Sequence, residues 1–484
     1  MNKNKIYNYI DDNLDTHIQN IQSWVKQKSV SWDNLGMDDA SKMVFESFKK
    51  LGCKEVEYID GKYYPGIYAY YDAGSKYTLH NYCMYDTRTV EKPEQWDFDP
   101  WGGELIEYDG HEEVIGGRGS MGAKGPYVAW LNSLESIIAI EGTLPFNIVF
   151  IAEGEEIMGS PSYRNFIKSY SNKLANVNAS FCPTSTQNMN GDVTIGMGLK
   201  GMIVLDLIVK GGEKNNGPHN TIHSSAASLV NCPPFRLIQA LSSLTDKEGK
   251  GCKIKGMENI WNERKLLDDD ETTLLNNLVE IYKNKDWRDV LPLGGANNYD
   301  IELSGIEPLK DFLYGPTLNI SGLRSGFLGK ETGLIPFIIP SEATASIDMR
   351  IVTKTSSDEI INILRTHLDS LGFNDVDIEI FSSFDYCHTS SIDPIVNTIE
   401  NTLNKWNVNC VKWPMQAGGG PWSVVPNVFN VPCYRGGVIG GGNRGNLNEY
   451  MIIKSKSKIA NLDQTEKYIV DLIYDVKNAL ENSK

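Results

Sequence analysis

Short apolar runs of strand character alternate with helix-spaced ones through the first 160 or so residues, and a chain patterned this way folds as a sheet covered by helices. Ile6, Ile10, Leu14, Ile18, Ile21 and Val25 recur three or four residues apart, which predicts one amphipathic helix over residues 5 to 28. A second helix is predicted over 38 to 51. Stretches 54 to 59, 65 to 71 and 77 to 85 are rich in Tyr and Val and broken by Gly, Asp and Lys, so they read as strands. Residues 123 to 139 are again helical, and Phe146 to Ile151 is apolar throughout, as a buried strand is.

The pattern changes after GMGLKG at 196 to 201. MIVLDLIVKG follows as an edge or hairpin strand, then a helix around Ala226 to Leu244 and a strand pair around Glu342 to Val352, which predicts a smaller unit of sheet and helices. A helix over 392 to 405 marks the return to the first unit.

Charge and cysteine usage exclude whole classes of function. The 46 Lys and Arg against 62 Asp and Glu give a net charge of -16, which repels nucleic acid and anionic membrane surfaces. No apolar run is long enough to cross a bilayer and the first residues do not read as a signal peptide, so a cytoplasmic protein is expected. The eight cysteines form no CxxC pair and are expected to be reduced, and seven histidines are few for a metalloenzyme.

Three stretches carry a family resemblance: GGRGSMGAKG at 116 to 125, AEGEEIMGSPS at 152 to 162, and TLNISGLRSGFLGKETGLIPFIIPSEATASIDMRIV at 317 to 352. With smaller echoes in YDTRTVEKPEQW, GLKG, HSS and LNEY, in order along nearly the whole chain, they resemble the zinc exopeptidase family of carboxypeptidase G, aminoacylase, carnosinase and the acetylornithine and succinyl-diaminopimelate deacylases. The resemblance implies an α/β fold of two domains. A three-layer catalytic domain with a mixed sheet would comprise residues 1–198 and 388–484, and an α+β lid and dimerisation domain, residues 199–387, would be inserted between them. It also implies a homodimer formed through the lid.

That family holds two zinc ions with two histidines and three carboxylates. Matched position by position, this chain has Met84, Gly122, Ile157, a residue near Pro183, and Gly445 where those ligands are expected; a one-residue slip would instead place Glu156 at the third position. A thioether is a poor ligand for zinc among oxygen donors, and glycine offers none. His80, four residues before Met84 on the same strand, lies roughly 13 Å from it and cannot replace it. No metal and no cofactor are therefore expected.

Other functional positions match. Asp86 corresponds to the aspartate that orients the first histidine, Glu156 to the general base, and His223 to a lid histidine that reaches the oxyanion across the dimer. Asn319 and Arg350 correspond to residues that hold the substrate carboxylate or carbonyl, a task suited to the planar guanidinium fork. Each has a plainer reading: a turn carboxylate, a solvated glutamate, a histidine before a helix, a strand salt bridge. Cys182 and Arg444 adjoin two of the altered positions, as an inert thiol or a nucleophile and as a surface arginine or a charge in the cleft.

The resulting expectation is an enzyme that acts without metal at an amide or acyl C–N centre of a small or peptide-like carboxylate-bearing substrate. Amide formation, cyclisation, acyl transfer and hydrolysis of an activated substrate all fit, with Glu156 moving the proton. Two alternatives stand beside it: a silent relative that binds a carboxylate ligand or an active paralogue, and ordinary zinc hydrolysis by another ligand set.

Overall fold

The computed structural model describes residues 2–184, 186–262, 267–293 and 295–482. An eight-stranded mixed sheet runs in the order Glu55–Ile59, Gly66–Tyr71, Asn147–Glu153, Thr78–Met84, Val177–Pro183, Cys433–Gly436, Val193–Gly196, Cys410–Trp413. Its middle is parallel: Thr78–Met84 lies between Asn147–Glu153 and Val177–Pro183, and Cys433–Gly436 continues beside Val177–Pro183 in the same direction. The carboxyl ends of four parallel strands therefore open on one edge of the sheet, the edge at which α/β sheets bind their ligands.

Alternation along these strands builds the two cores. Ile148, Phe150 and Ala152 face the cluster of Val25, Phe48, Trp130 and Leu134, whereas Val149 and Ile151 face Tyr163, Phe166, Trp422 and Val425. Each buried Val, Leu, Ile or Phe among them contributes roughly 1.5–3 kcal/mol, and strands buried on both faces explain the unbroken apolar reading of this segment. Helix Met37–Leu51 shows why its ends fall where they do. Asp38 and Asp39 occupy the first turn and Lys49 and Lys50 the last, matching the helix dipole, and Gly52 closes it with φ +92°.

A second, four-stranded antiparallel sheet is formed by residues between 201 and 384, in the order Thr317–Arg324, Glu342–Ile351, Gly201–Lys210, Val376–Phe384. Ile203, Leu205, Leu207 and Val209 alternate onto a core with Leu237, Leu241, Ile360 and Leu364. A third sheet is formed by Gly441–Gly442, Tyr450–Lys454, His111–Gly116 and Glu104–Tyr108, in that order.

Three sequence expectations need correction. The helix predicted over 5 to 28 is two helices, Lys3–Asp12 and Leu14–Lys26; Asn13 breaks them, its side chain donating to the Tyr9 carbonyl at 2.8 Å while the apolar spacing runs on. Gly201–Lys210 is an interior strand, paired on both sides by Glu342–Ile351 and Val376–Phe384; its alternation marks the buried face, which an edge strand would show equally. The helix around 226 to 244 begins only at Pro233 and is preceded by a 3-10 turn, since proline favours a first-turn position and cannot sit within the helix.

Candidate active site

At the strand ends lies a cleft of about 230 Å³. Met84, Gly122, Ile157, Pro183 and Gly445 all line it, so the positions matched to the family's ligands come together in space. Beside them stand Tyr82, Glu156, Cys182, Trp422 and four arginines: Arg88, Arg118, Arg435 and Arg444.

The acidic segment after strand Asn147–Glu153 divides its carboxylates between structure and cleft. Glu153 accepts from the Tyr82 and Ser160 hydroxyls at 2.7 and 2.9 Å. Glu155 accepts from the backbone N–H groups of Tyr63, Tyr64 and Ser162 at 2.7, 2.9 and 3.2 Å, and so ties two loops together. Glu156 is left to face the cleft, and among the described residues no hydrogen bond or ion pair holds its carboxylate. Desolvation raises its pKa, and the charges of Arg435, Arg444 and Arg88 oppose that rise.

Asp86 sits behind this segment rather than in the cleft. Its carboxylate accepts from the Ser31 hydroxyl at 2.8 Å and from the N–H groups of Glu156 and Ile157 at 3.2 and 2.9 Å. Burial, and then the charge of Glu156, push its carboxyl up to about 7, with these bonds pulling the other way. Asp86 thus positions Glu156 through the backbone.

The opposite wall is the turn 117–122. Glu449 accepts from the N–H groups of Met121 and Gly122 at 3.0 and 2.7 Å and forms a buried pair with Arg118 at 2.9 Å. Arg118 also donates to the carbonyl of Asn446 at 3.1 Å and lies over Trp96, 5.1 Å from the ring centroid. Lys124, which opens the next helix, is buried with its ammonium on the Gln27 carbonyl at 2.5 Å, and burial lowers its pKa to about 7.

The positions matched to the family's lid lie elsewhere in the chain. His223 is exposed and bonded to Ser225 at 2.9 Å, and Asn319 is exposed on the outermost strand of the smaller sheet. Arg350 is held bidentately by Asp348 at 2.8 and 3.1 Å. None of the three lines the cleft, so within one chain the structure brings together only Glu156 and, behind it, Asp86. Cys182 lines the cleft, but burial pushes its thiol up to about 12, which keeps it protonated and a poor nucleophile.

Sequence reasoning missed Arg88 and Arg435. Arg88 had a signal, standing two residues after Asp86; Arg435 had none, because only the parallel pairing of Arg435 with Cys182 carries it to the strand ends.

A family model described as "Peptidase family M20/M25/M40" matches residues 85–474. The chain belongs to this peptidase family. It is 23% identical over 409 residues to a Cys-Gly metallodipeptidase of Schizosaccharomyces pombe, covering 81% of this chain and 80% of that protein. It is 26% identical over 302 residues to a Cys-Gly metallodipeptidase of Candida albicans, covering 61% of this chain and 57% of that relative's length. The solved M20 family metallo-carboxypeptidase of Sulfolobus solfataricus superposes with a TM-score of 0.78 at 24% identity, over 95% of this chain and 99% of that one.

These relatives overturn the expected metal-independent chemistry, whether amide formation, cyclisation, acyl transfer or hydrolysis of an activated substrate: they are metallopeptidases, enzymes that hydrolyse peptide bonds. Replaced ligands counted in a sequence do not by themselves define another reaction. The fit of the site to a metal pair is a separate matter. Among the described residues, no group of three or more His, Cys, Asp or Glu comes together as an ion requires, and the cleft instead gathers guanidinium groups. The residues present do not fit the family's two ions.

Proposed function

We propose that this chain hydrolyses a small peptide of dipeptide size carrying a free carboxylate, in the cleft at the strand ends. The observation that carries the proposal is Glu156: in a chain of a peptidase family, it is the single carboxylate of its acidic segment turned into the cleft, on a backbone pinned by Asp86. Its side chain lies beside apolar Ile157, and its raised pKa suits a group that takes a proton from water and returns it to the leaving amine.

The passage of the chain from one sheet to the other at Gly198–Leu199, paired with Cys387–His388 on the way back, supports residues 199–387 as a lid. A homodimer through that lid is supported by its outermost strand, Thr317–Arg324, which is mostly exposed and carries Ile320 and Leu323, 41% and 59% exposed. In such a dimer His223, Asn319 and Arg350 would serve the partner's cleft.

The test is amine release from a dipeptide panel that includes Cys-Gly. Turnover is expected with at least one dipeptide, and Glu156→Gln is expected to lower kcat by about 10²- to 10⁴-fold, the range a general base supplies. An unchanged kcat in that variant, or no turnover across the panel, refutes the proposal.

A further inference from the structure

The floor of the cleft is arranged around arginines in a way that peptide hydrolysis alone does not explain. Arg88 and Arg444 form no hydrogen bond or ion pair through their guanidinium groups among the described residues, although both line the cleft. Arg435 donates to the neutral Gln416 amide oxygen at 3.0 Å and packs 4.3 Å from the Trp422 ring centroid, while its Nε is buried without a partner. With Arg118 paired to Glu449, three guanidinium groups face one carboxylate, Glu156, an excess of two positive charges.

Two glycines make this arrangement possible. A Cβ at Gly122 would stand 3.1 Å from Arg444 Cγ and 3.4 Å from its Nε. A Cβ at Gly445 would meet Arg88 at Cδ, Nε and a terminal nitrogen, 3.1 to 3.3 Å away. A Cβ at either position would make the neighbouring arginine give way by a few tenths of an ångström, so each glycine leaves room for the arginine beside it. The like charges are near enough to be felt: desolvation by the cleft walls and then the charge of Arg435 lower the pKa of Arg444. Arg88 and Arg444 are exposed to solvent, so both guanidinium forks stand open to an incoming anion.

We infer that Arg88, Arg435 and Arg444 form a subsite for one doubly charged oxyanion, either a phosphoryl group or two neighbouring carboxylates, borne by the ligand of this cleft. Planar guanidinium forks match paired oxygens in both cases, and two negative charges balance the excess of two. The inference rests on the proposed function only in taking this cleft as the place where the ligand binds.

Isothermal titration of the full chain with inorganic phosphate, malonate and acetate tests it. Phosphate or malonate is expected to bind, acetate at least tenfold more weakly. Arg435→Gln and Arg444→Gln are each expected to weaken binding tenfold or more, while Arg324→Gln on the smaller sheet leaves it unchanged. Arg88→Lys, which keeps the charge but not the fork, gives a milder change that a folding defect would not mimic, and is expected to fall between wild type and the glutamine variants. Tighter phosphate assigns a phosphoryl group, and tighter malonate assigns paired carboxylates. No binding by either dianion, binding indifferent to the arginine variants, or acetate bound as tightly as the dianions overturns the inference. Dianion binding without peptide turnover would remove the hydrolase proposal and leave the subsite; turnover without dianion binding would do the reverse.

Discussion

Glu449→Gln isolates the contact that shapes one wall of the cleft. The amide keeps an oxygen for the N–H groups of Met121 and Gly122, which Glu449 now accepts at 3.0 and 2.7 Å. What it loses is the negative charge opposite Arg118, in a pair whose side chains are 4% and 0% exposed. Breaking a buried pair from one side leaves an uncompensated charge and costs about 3–5 kcal/mol. Arg118 retains the Asn446 carbonyl at 3.1 Å and the Trp96 ring, so the expected loss lies near the lower end, about 3 kcal/mol. Denaturant unfolding followed by tryptophan fluorescence is the assay, with Trp96 as a nearby reporter. Arg118→Met is expected to be similarly costly, and the double variant to cost clearly less than the sum, because neither charge is then stranded. A loss under about 1 kcal/mol for Glu449→Gln, or strict additivity in the cycle, would refute the assignment of this pair as the brace of the turn.

His80 predicts acid sensitivity. It is fully buried between Ser180 and Tyr163, and burial lowers its pKa to about 3, so the stability of the neutral imidazole is complete above its unfolded value of about 6.5 and is lost as pH falls toward 3; His80→Gln should flatten the unfolding midpoint over that window, and an unaltered pH profile would count against it. Gly445→Ala places a Cβ against Arg88 at a residue with φ +70°, and is expected to cost about 1–2 kcal/mol and to weaken phosphate binding; full retention of both would show that the glycine is not making room for the arginine. Leu323→Glu on strand Thr317–Arg324 tests the proposed lid dimer: wild type is expected to be a dimer by light scattering and the variant a monomer, and a monomeric wild type would remove that interface.

Much of the fold was legible because burial leaves a local mark. Strands predicted at 65 to 71 and 77 to 85 lie at Gly66–Tyr71 and Thr78–Met84, and the helix from 123 at Lys124–Glu141. Asn13 escaped notice because the apolar period runs across it, and the backbone leaves helical geometry there, at φ -112° and ψ 12°, without changing that period. The cleft was half legible. Met84, Gly122, Ile157, Pro183 and Gly445 were found as motif positions, and they do meet. The roles of Glu153, Glu155 and Glu156 were not separable in sequence, since three carboxylates in four residues look alike until backbone N–H groups claim one and hydroxyls another. Arg435 was beyond reach because its place depends on pairing with a strand some 250 positions earlier.

The central claim, that this cleft adds water to a peptide bond with Glu156 handling the proton, is tested most directly by running a dipeptide reaction in ¹⁸O-labelled water and weighing the products. One labelled oxygen is predicted in the newly formed carboxyl group, at a rate that collapses in Glu156→Gln. Product lacking the label, or labelled product formed as fast by the variant, would contradict it.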